Sequence, residues 1–386
     1  MATPRAFIRT ACLLKKKVMK KTKKLKNIFI SAIHQNAGKT TISLGLFKTF
    51  QERKIKTAFM KPVGQETVTY QENAIDKDTY LIGEVYHCKK NIKDMSPITV
   101  GRGYTEKYII EPQKQQLHDR ILKSFQTVIR GKDAIIVEGT GHAGVGSVID
   151  CSNADVAALL GSKAIIVSGG GIGRAIDEVM LNKALFDLCK VPVLGVIINK
   201  VHPDKLDKIK TIVGKGLERK GIRLLGVIPE MDMLSAPTVE QIKDRLDLKV
   251  FSGEENLRTR VYDAIVAAME PYNMIGHLRD GALVITSGDR VDNMLVAVSS
   301  YLLQQGKSVK VAGLILTGGL IPGDKIAGLL KDSRIPVLYS DKDTYTIAAA
   351  VENMTPKIQE TDRDKIMEAR RLVKNYVDVN MILENL

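Results

Sequence analysis

SAIHQNAGKTT, residues 31–41, is the stretch whose reading decides the fold. It follows the apolar run NIFISAI (27–33) and opens a helical pattern, which is the context a phosphate-binding loop needs. Backbone N–H groups of Asn36, Ala37 and Gly38, and those of the helix start at Thr40 and Thr41, would face an anion there, and the helix dipole adds to their pull. Lys39 would neutralise the outer phosphates, the Thr40 hydroxyl would ligate Mg²⁺, and Gly38 lets the backbone close around the phosphate. The usual first glycine is missing, because Ala32 and Ile33 stand at the positions it would take.

Working outward, short β-branched runs recur at 56–63, 133–139, 163–170, 193–200 and 222–229, with helical patterns between several of them. Near-continuous apolar strands alternating with helices predict an α/β fold, a parallel sheet covered by helices on both faces. In such sheets the chemistry sits at the carboxyl ends of the strands. Lys61 closes the second run in KPVGQ, Glu138 closes DAIIVEG, and Asn199 closes VLGVIINK. Glu138 is a natural Mg²⁺ ligand, Asp78 in DKDTY is a second metal candidate, and Lys61 would reach a phosphate or a substrate carboxylate. Asn199 is placed to meet a base edge, and the Gly-rich loop GTGHAGVGS (139–147), with His142, would shape a pocket beside the outer phosphate. Segment 65–111 reads as a helix followed by a long loop.

The chain is long enough for two domains. Segment 230–254, rich in charges and turn residues, reads as a linker; the first domain is drawn over 27–245 and a second, smaller α/β domain over 250–360. The second is expected to hold helices at 255–270, 290–304, 324–332 and 343–351 and strands at 281–288, 309–319 and 335–340. A helical pattern at 360–376 belongs to a C-terminal segment, 361–386.

Composition narrows the partners. The formal charge is +15, yet residues 1–26 carry ten Lys or Arg and no acid, so the rest is only about +5. The basic character belongs to a tail expected to be disordered, with a transit peptide or a later start at Met19 as alternatives, and this argues against a nucleic-acid surface. No apolar run reaches the ~18 residues of a membrane span. Cys12, Cys88, Cys151 and Cys189 are scattered, form no metal-ligand spacing, and fit a reducing, cytoplasmic setting.

The order SAIHQNAGKTT, KTAFMKPVGQ, DAIIVEGTG, LGVIINKV and LLGVIPE resembles the dethiobiotin synthetase family of P-loop proteins over roughly residues 27–235. The resemblance implies ATP and Mg²⁺ as cofactors, Lys39, Thr40, Lys61, Asp78 and Glu138 in matching positions, and Asn199 at the adenine. It is closer still to the amino-terminal half of long phosphate acetyltransferases, which join such a domain to one named for the signature DRTGG. HLRDGALVITSGDR (277–290) and GLILTGG (313–319) resemble that second domain. Its candidate ligand residues are Asp289, Arg290, Thr317, Gly318 and Gly319, with Gly281, Thr286 and Gly288. Gly64 and Gln65 replace the biotin enzyme's Ser-Gly element, and the loop after Glu138-Gly139 differs, so diaminopelargonate carboxylation is not implied. Partition-type ATPases carry a lysine where His34 stands, which disfavours that branch.

Three functions follow as expectations. The first is a regulatory or sensory protein, with ATP in the first domain and a small-molecule effector in the second. The next is an ATP-dependent ligase or carboxylate-activating enzyme in which Lys39 and Lys61 stabilise a transferred phosphoryl group. The third is a partner of a separate acetyltransferase, because that catalytic domain would follow the second domain and the sequence ends at Leu386. A homo-oligomer is expected from the biotin-enzyme resemblance.

Overall fold

A computed structural model describes residues 25–302 and 309–386. The basic tail up to residue 24, with Cys12, and residues 303–304 of the expected helix lie outside the described residues. The chain divides into two compact units, one running to Glu230 and resuming over Gln359–Leu386, the other Met231–Ile358.

In the first unit the strands are β1 (Lys26–Ala32), β2 (Thr57–Met60), β3 (Ala134–Glu138), β4 (Lys163–Ser168), β5 (Val193–Val201) and β6 (Leu224–Pro229). They form one sheet in the order β6-β5-β4-β1-β3-β2, every pairing parallel. Every residue of β2 and β3 is buried, which is what strands covered on both faces require. Because β1 lies between β3 and β4, the chain leaves it toward one side and later crosses it to the other. The crevice at the carboxyl end of β1 is therefore the switch point where open α/β sheets bind ligands. Helix α1 (Lys39–Glu52) starts there.

Segment 65–111 differs from its expectation. An antiparallel hairpin, Thr67–Tyr70 with Asn73–Asp76, precedes the helix Lys77–Val85, and the helix Tyr104–Ile110 follows where a loop was expected. The hairpin turn is Gln71-Glu72, both at positive φ (45° and 61°), a conformation usually signalled by Asn-Gly. Neither residue type announces it.

The C-terminal segment returns to this unit. Helix Arg363–Tyr376 packs its buried Ala369, Leu372 and Val373 against α1 at Gly45. A methyl group on Gly45 would lie 2.3 Å from the Val373 side chain and 2.9 Å from the Ala369 carbonyl oxygen. Val377 then bridges Gly226 in antiparallel fashion, and the Asp378 N–H donates to the Leu225 carbonyl at 2.8 Å.

The second unit is a five-stranded sheet of β7 (Lys249–Ser252), β8 (Asp263–Val266), β9 (Ala282–Ser287), β10 (Gly313–Thr317) and β11 (Val337–Tyr339), in the order β7-β11-β10-β9-β8. Only β7 runs antiparallel within it. Alternation decides the two layers. Ala282, Val284, Leu314 and Leu316 pack with Met274, Met294, Ala297 and Leu330, while Leu283, Ile285 and Ile315 pack with Val239, Ile242, Ile347 and Val351.

Here the expectations change in two places. The expected linker 230–254 is structured: Thr238 and Gln241 form a reciprocal capping box for helix Val239–Leu246, and β7 follows. Val239 and Ile242 join this unit's core, and the two compact units meet in the chain at Glu230 and Met231. Segment 255–270 holds the edge strand β8 instead of a helix; Asp263, Ala264 and Ile265 are half-buried and Val266 is exposed, and pairing with β9 overrides a locally helical pattern.

Candidate functional site

The chain leaving β1 toward α1 is braced from the loop that follows β3 and from β4. The Ala32 N–H donates to the Gly141 carbonyl at 3.1 Å, and the Ile33 N–H to Val167 at 3.0 Å. Asn36 and Gly38 hold positive φ, 63° and 100°. A methyl on Gly38 would sit 2.0 Å from the Asn199 amide nitrogen, so only glycine fits. That amide donates to the Ala37 carbonyl at 2.9 Å. Asn199, expected at a base edge, is therefore engaged here in shaping the loop from β5.

Beside the start of α1 lies a buried charged cluster. The Thr40 hydroxyl is 3.2 Å from both Asp78 Oδ1 and Glu138 Oε1. Ser43, one turn further along α1, donates to Glu138 Oε2 at 2.6 Å. The Lys61 ammonium pairs directly with Asp78 and stands 3.4 Å from Asp76 Oδ1 and 3.7 Å from Glu138 Oε1. Lys61, Asp76, Asp78 and Glu138 are all at most 4% exposed. Burial pushes the Lys61 ammonium down, but the surrounding Asp78, Asp76 and Glu138 carboxylates outweigh it and hold it well above the ordinary lysine range. Burial, joined by the Asp78 charge, lifts Glu138 above the ordinary glutamate range against the pull of Lys61, Ser43 and Lys39.

Local structure explains how these groups meet. Glu138 closes β3, next to β1 in register with Ile30. The Lys61 backbone is pinned by its N–H to the Met95 carbonyl at 2.7 Å. Asp76 ends the hairpin and caps the next helix, its Oδ1 accepting from the Asp78 N–H at 2.9 Å. A methyl on Gly64 would meet Asp76 Oδ2 at 2.5 Å, which accounts for the glycine in KPVG. The loop 139–147 is held by Asn153, whose Nδ2 donates to the carbonyls of Thr140 at 2.8 Å and His142 at 2.7 Å. Asn182 accepts from the Ala143 N–H at 2.7 Å.

The structure thus gathers Lys61, Asp78, Glu138 and Thr40 at the start of α1, where Lys39 is also buried, with Asn199 on the loop. Sequence reasoning missed Asp76, Ser43, Asn153 and Asn182. Ser43 was accessible from its spacing, three residues after Thr40 and so on the same helix face. Asp76 needed the hairpin.

Does this site fit a magnesium nucleotide? The loop has a cradle that a Cβ would fill, and a hydroxyl flanked by two carboxylates matches the sparse protein shell of Mg²⁺ among phosphates and waters. Among the described residues no group of three or more His, Cys, Asp or Glu is arranged to hold a metal ion alone. The fit is to a metal brought with phosphate.

In the second unit, the Gly288 N–H donates to the Thr317 carbonyl at 3.1 Å, which joins the ends of β9 and β10. Gly318 and Gly319 hold positive φ, 80° and 70°, and Asp289 is exposed. The Thr317 hydroxyl is buried between the Thr286 carbonyl at 3.1 Å and Thr344 at 2.7 Å. Arg290 pairs with Asp292 at 3.0 Å and donates to the Ala268 and Met269 carbonyls. Thr317 and Arg290 are therefore tied into the unit's own framework.

No helix among the described residues is long and apolar enough to cross a membrane. Residues 26–238 match the family described as AAA domain, and residues 241–354 match the DRTGG domain. Curated relatives include phosphate acetyltransferases of Nitratidesulfovibrio vulgaris, 28% identical over 363 residues, which cover 91% of this chain and 50% of that one. That of Pseudomonas putida is 27% identical over 368 residues, covering 92% and 51%. The chain thus spans about half the length of the curated relatives it matches. Among solved structures, the CBS and DRTGG domains of the regulatory region of a Clostridium perfringens pyrophosphatase, complexed with the activator diadenosine tetraphosphate, give a TM-score of 0.26 at 23% identity, covering 32% of this chain and 49% of that one. A putative plasmid partition protein of Borrelia burgdorferi gives 0.37 at 17%, covering 55% and 90%. The chain belongs to the AAA domain family, with a P-loop domain of that family followed by a DRTGG domain, the pairing it has in common with the amino-terminal half of long phosphate acetyltransferases.

Proposed function

We propose that this chain binds Mg²⁺-ATP in its P-loop unit and acts as the regulatory half of a phosphate-acetyltransferase-type system, with an effector read by the DRTGG domain. The observation that carries the nucleotide reading is the Thr40 hydroxyl, 3.2 Å from Asp78 and from Glu138, at the start of a helix entered through Gly38. Lys39 and the amides from Asn36 to Thr41 bind the phosphates, and Thr40, Asp78 and Glu138 hold the metal. When bound, Mg²⁺ neutralises charge on the outer phosphates. The regulatory reading is supported by relatives that share both domains over more than nine-tenths of this chain. Asp289, Gly318 and Gly319, at neighbouring strand ends, are the proposed effector contacts, on a framework that Arg290 and the buried Thr317 hold in place.

A second reading is an ATP-dependent ligase. It is favoured by Lys61, a buried cation among the metal-side carboxylates. Calorimetric titration of Mg²⁺-ATP, with phosphate release followed in the same samples, tests both. Lys39→Ala is expected to weaken binding by about 10- to 100-fold, the worth of a lost charge-assisted contact. Unchanged binding sinks the P-loop reading. Phosphate release stimulated by an added carboxylic acid favours the ligase.

A further inference from the structure

The cluster at the start of α1 raises a problem of charge. Asp76, Asp78 and Glu138 are buried side by side, and such a group needs a counter-cation. Lys61 supplies it, in direct contact with Asp78 and 3.7 Å from Glu138. These are the same two carboxylates that flank Thr40. A divalent ion entering between Thr40, Asp78 and Glu138 would share both with an ammonium already there.

We infer that Lys61 is a built-in competitor for the metal, so that a free divalent cation is kept out and the metal enters only together with a nucleotide. The inference rests on the Mg²⁺-ATP reading above. Its physical basis is that the Lys61 backbone is fixed at Met95 while its four-carbon stem is flexible. Only the ammonium moves. It leaves Asp78 and Glu138 when an anion replaces them as its partner, and a phosphate arriving with its own metal is that anion. Without a phosphate, displacing Lys61 leaves a buried cation facing a divalent one. Lys61 thus couples two bindings and prevents the site from filling with metal alone.

The test uses Mn²⁺ as the probe, counted as free ion by electron paramagnetic resonance, on the full chain. Wild type is expected to hold little Mn²⁺ alone and a stoichiometric amount with a non-hydrolysable ATP analogue. Lys61→Met keeps an unbranched side chain of nearly the same length and removes the charge, and is expected to bind Mn²⁺ without nucleotide at least ~10-fold more tightly, the equivalent of about one pKa unit of relief. Lys61→Arg should restore exclusion. Should Lys61→Met fold poorly, Lys61→Met with Asp76→Asn removes one charge of each sign and is expected to show a smaller gain, because the ammonium in contact with Asp78 is gone while a carboxylate that attracts the metal is lost with it. Equal nucleotide-free affinity in wild type and in the folded Lys61→Met variant or double variant overturns the inference. If wild type takes up no Mn²⁺ even with the analogue, the Mg²⁺-ATP reading itself has failed, which is a different result.

Discussion

Replacing Gly45 by alanine sets two effects of opposite sign against each other. Gly45 lies inside α1, and glycine-to-alanine in an open helix interior gains about 1 kcal/mol. Here the new methyl would sit 2.3 Å from the Val373 Cβ and Cγ2 and 2.9 Å from the Ala369 carbonyl oxygen. Carbon atoms prefer about 3.5–4.0 Å, so the two helices must part by roughly 1 Å. Both Ala369 and Val373 are fully buried, so nothing nearby can swing into solvent. Overpacking of this kind costs about 1–3 kcal/mol, and the parted interface forfeits roughly another 1 kcal/mol of contact. Subtracting the propensity gain leaves a net loss of about 1–3 kcal/mol. Gly214 is the control, because its methyl would find only a Leu224 Cδ2 at 3.4 Å, and Gly214→Ala should keep most of its helix gain. Hydrogen exchange resolved on peptides from α1 and from 363–376 reads the opening free energy where the change acts. If Gly45→Ala raises protection as Gly214→Ala does, the C-terminal helix does not pack on α1 as described.

Three further outcomes bear on the site. Gly38→Ala forces a side chain into a left-handed residue 2.0 Å from Asn199, costs about 1–3 kcal/mol, and should lower nucleotide affinity in a calorimetric titration. Asn199→Ala leaves the buried Ala37 carbonyl without its donor and costs about 1–3 kcal/mol alone, yet it opens room for Gly38→Ala, so additive losses in the double variant would contradict the contact. Because Glu138 titrates above the ordinary glutamate range, a metal at that carboxylate must displace a proton as pH falls through the raised value. As the solution is acidified, metal affinity with nucleotide should therefore begin to fall before the ordinary glutamate range is reached, by up to about tenfold per pH unit, and Glu138→Gln should flatten that dependence. Without metal the sign reverses for stability: a folded-state value above the unfolded one means protonation favours the fold, so this group's contribution rises as pH falls through it.

What the sequence made legible follows from range. The strands of the first sheet are near-continuous β-branched runs, and their ends carry Lys61, Glu138 and Asn199 in plain view. Ser43 was within reach, because a helix puts it over Thr40. Asp76 was not, since the hairpin that delivers it turns on Gln71-Glu72, where the left-handed backbone is enforced by cross-strand pairing and not by residue type. Asn199 was legible as a polar strand end but not as a brace, because its partner Ala37 is 162 residues away. The edge strand β8 fails for the same reason, as DAIV becomes a strand only where β9 lies beside it.

The C-terminal segment shows the widest gap between sequence pattern and structure. An amphipathic helix at 363–376 declares that one face is buried, and does not declare against what. The family matches end at 238 and 354, so they tile the sequence without residues 359–386. The folding units divide otherwise, at Glu230 and at Gln359, and the last segment closes the first unit. The second unit is thus an insertion in the chain of the first, entered after β6 and left before the helix that packs on α1. Because α1 presents Lys39 and Thr40 at its start and Gly45 to that helix, the packing that seats α1 depends on residues that follow the second unit. A boundary drawn by similarity alone would separate the loop from part of what holds it in place.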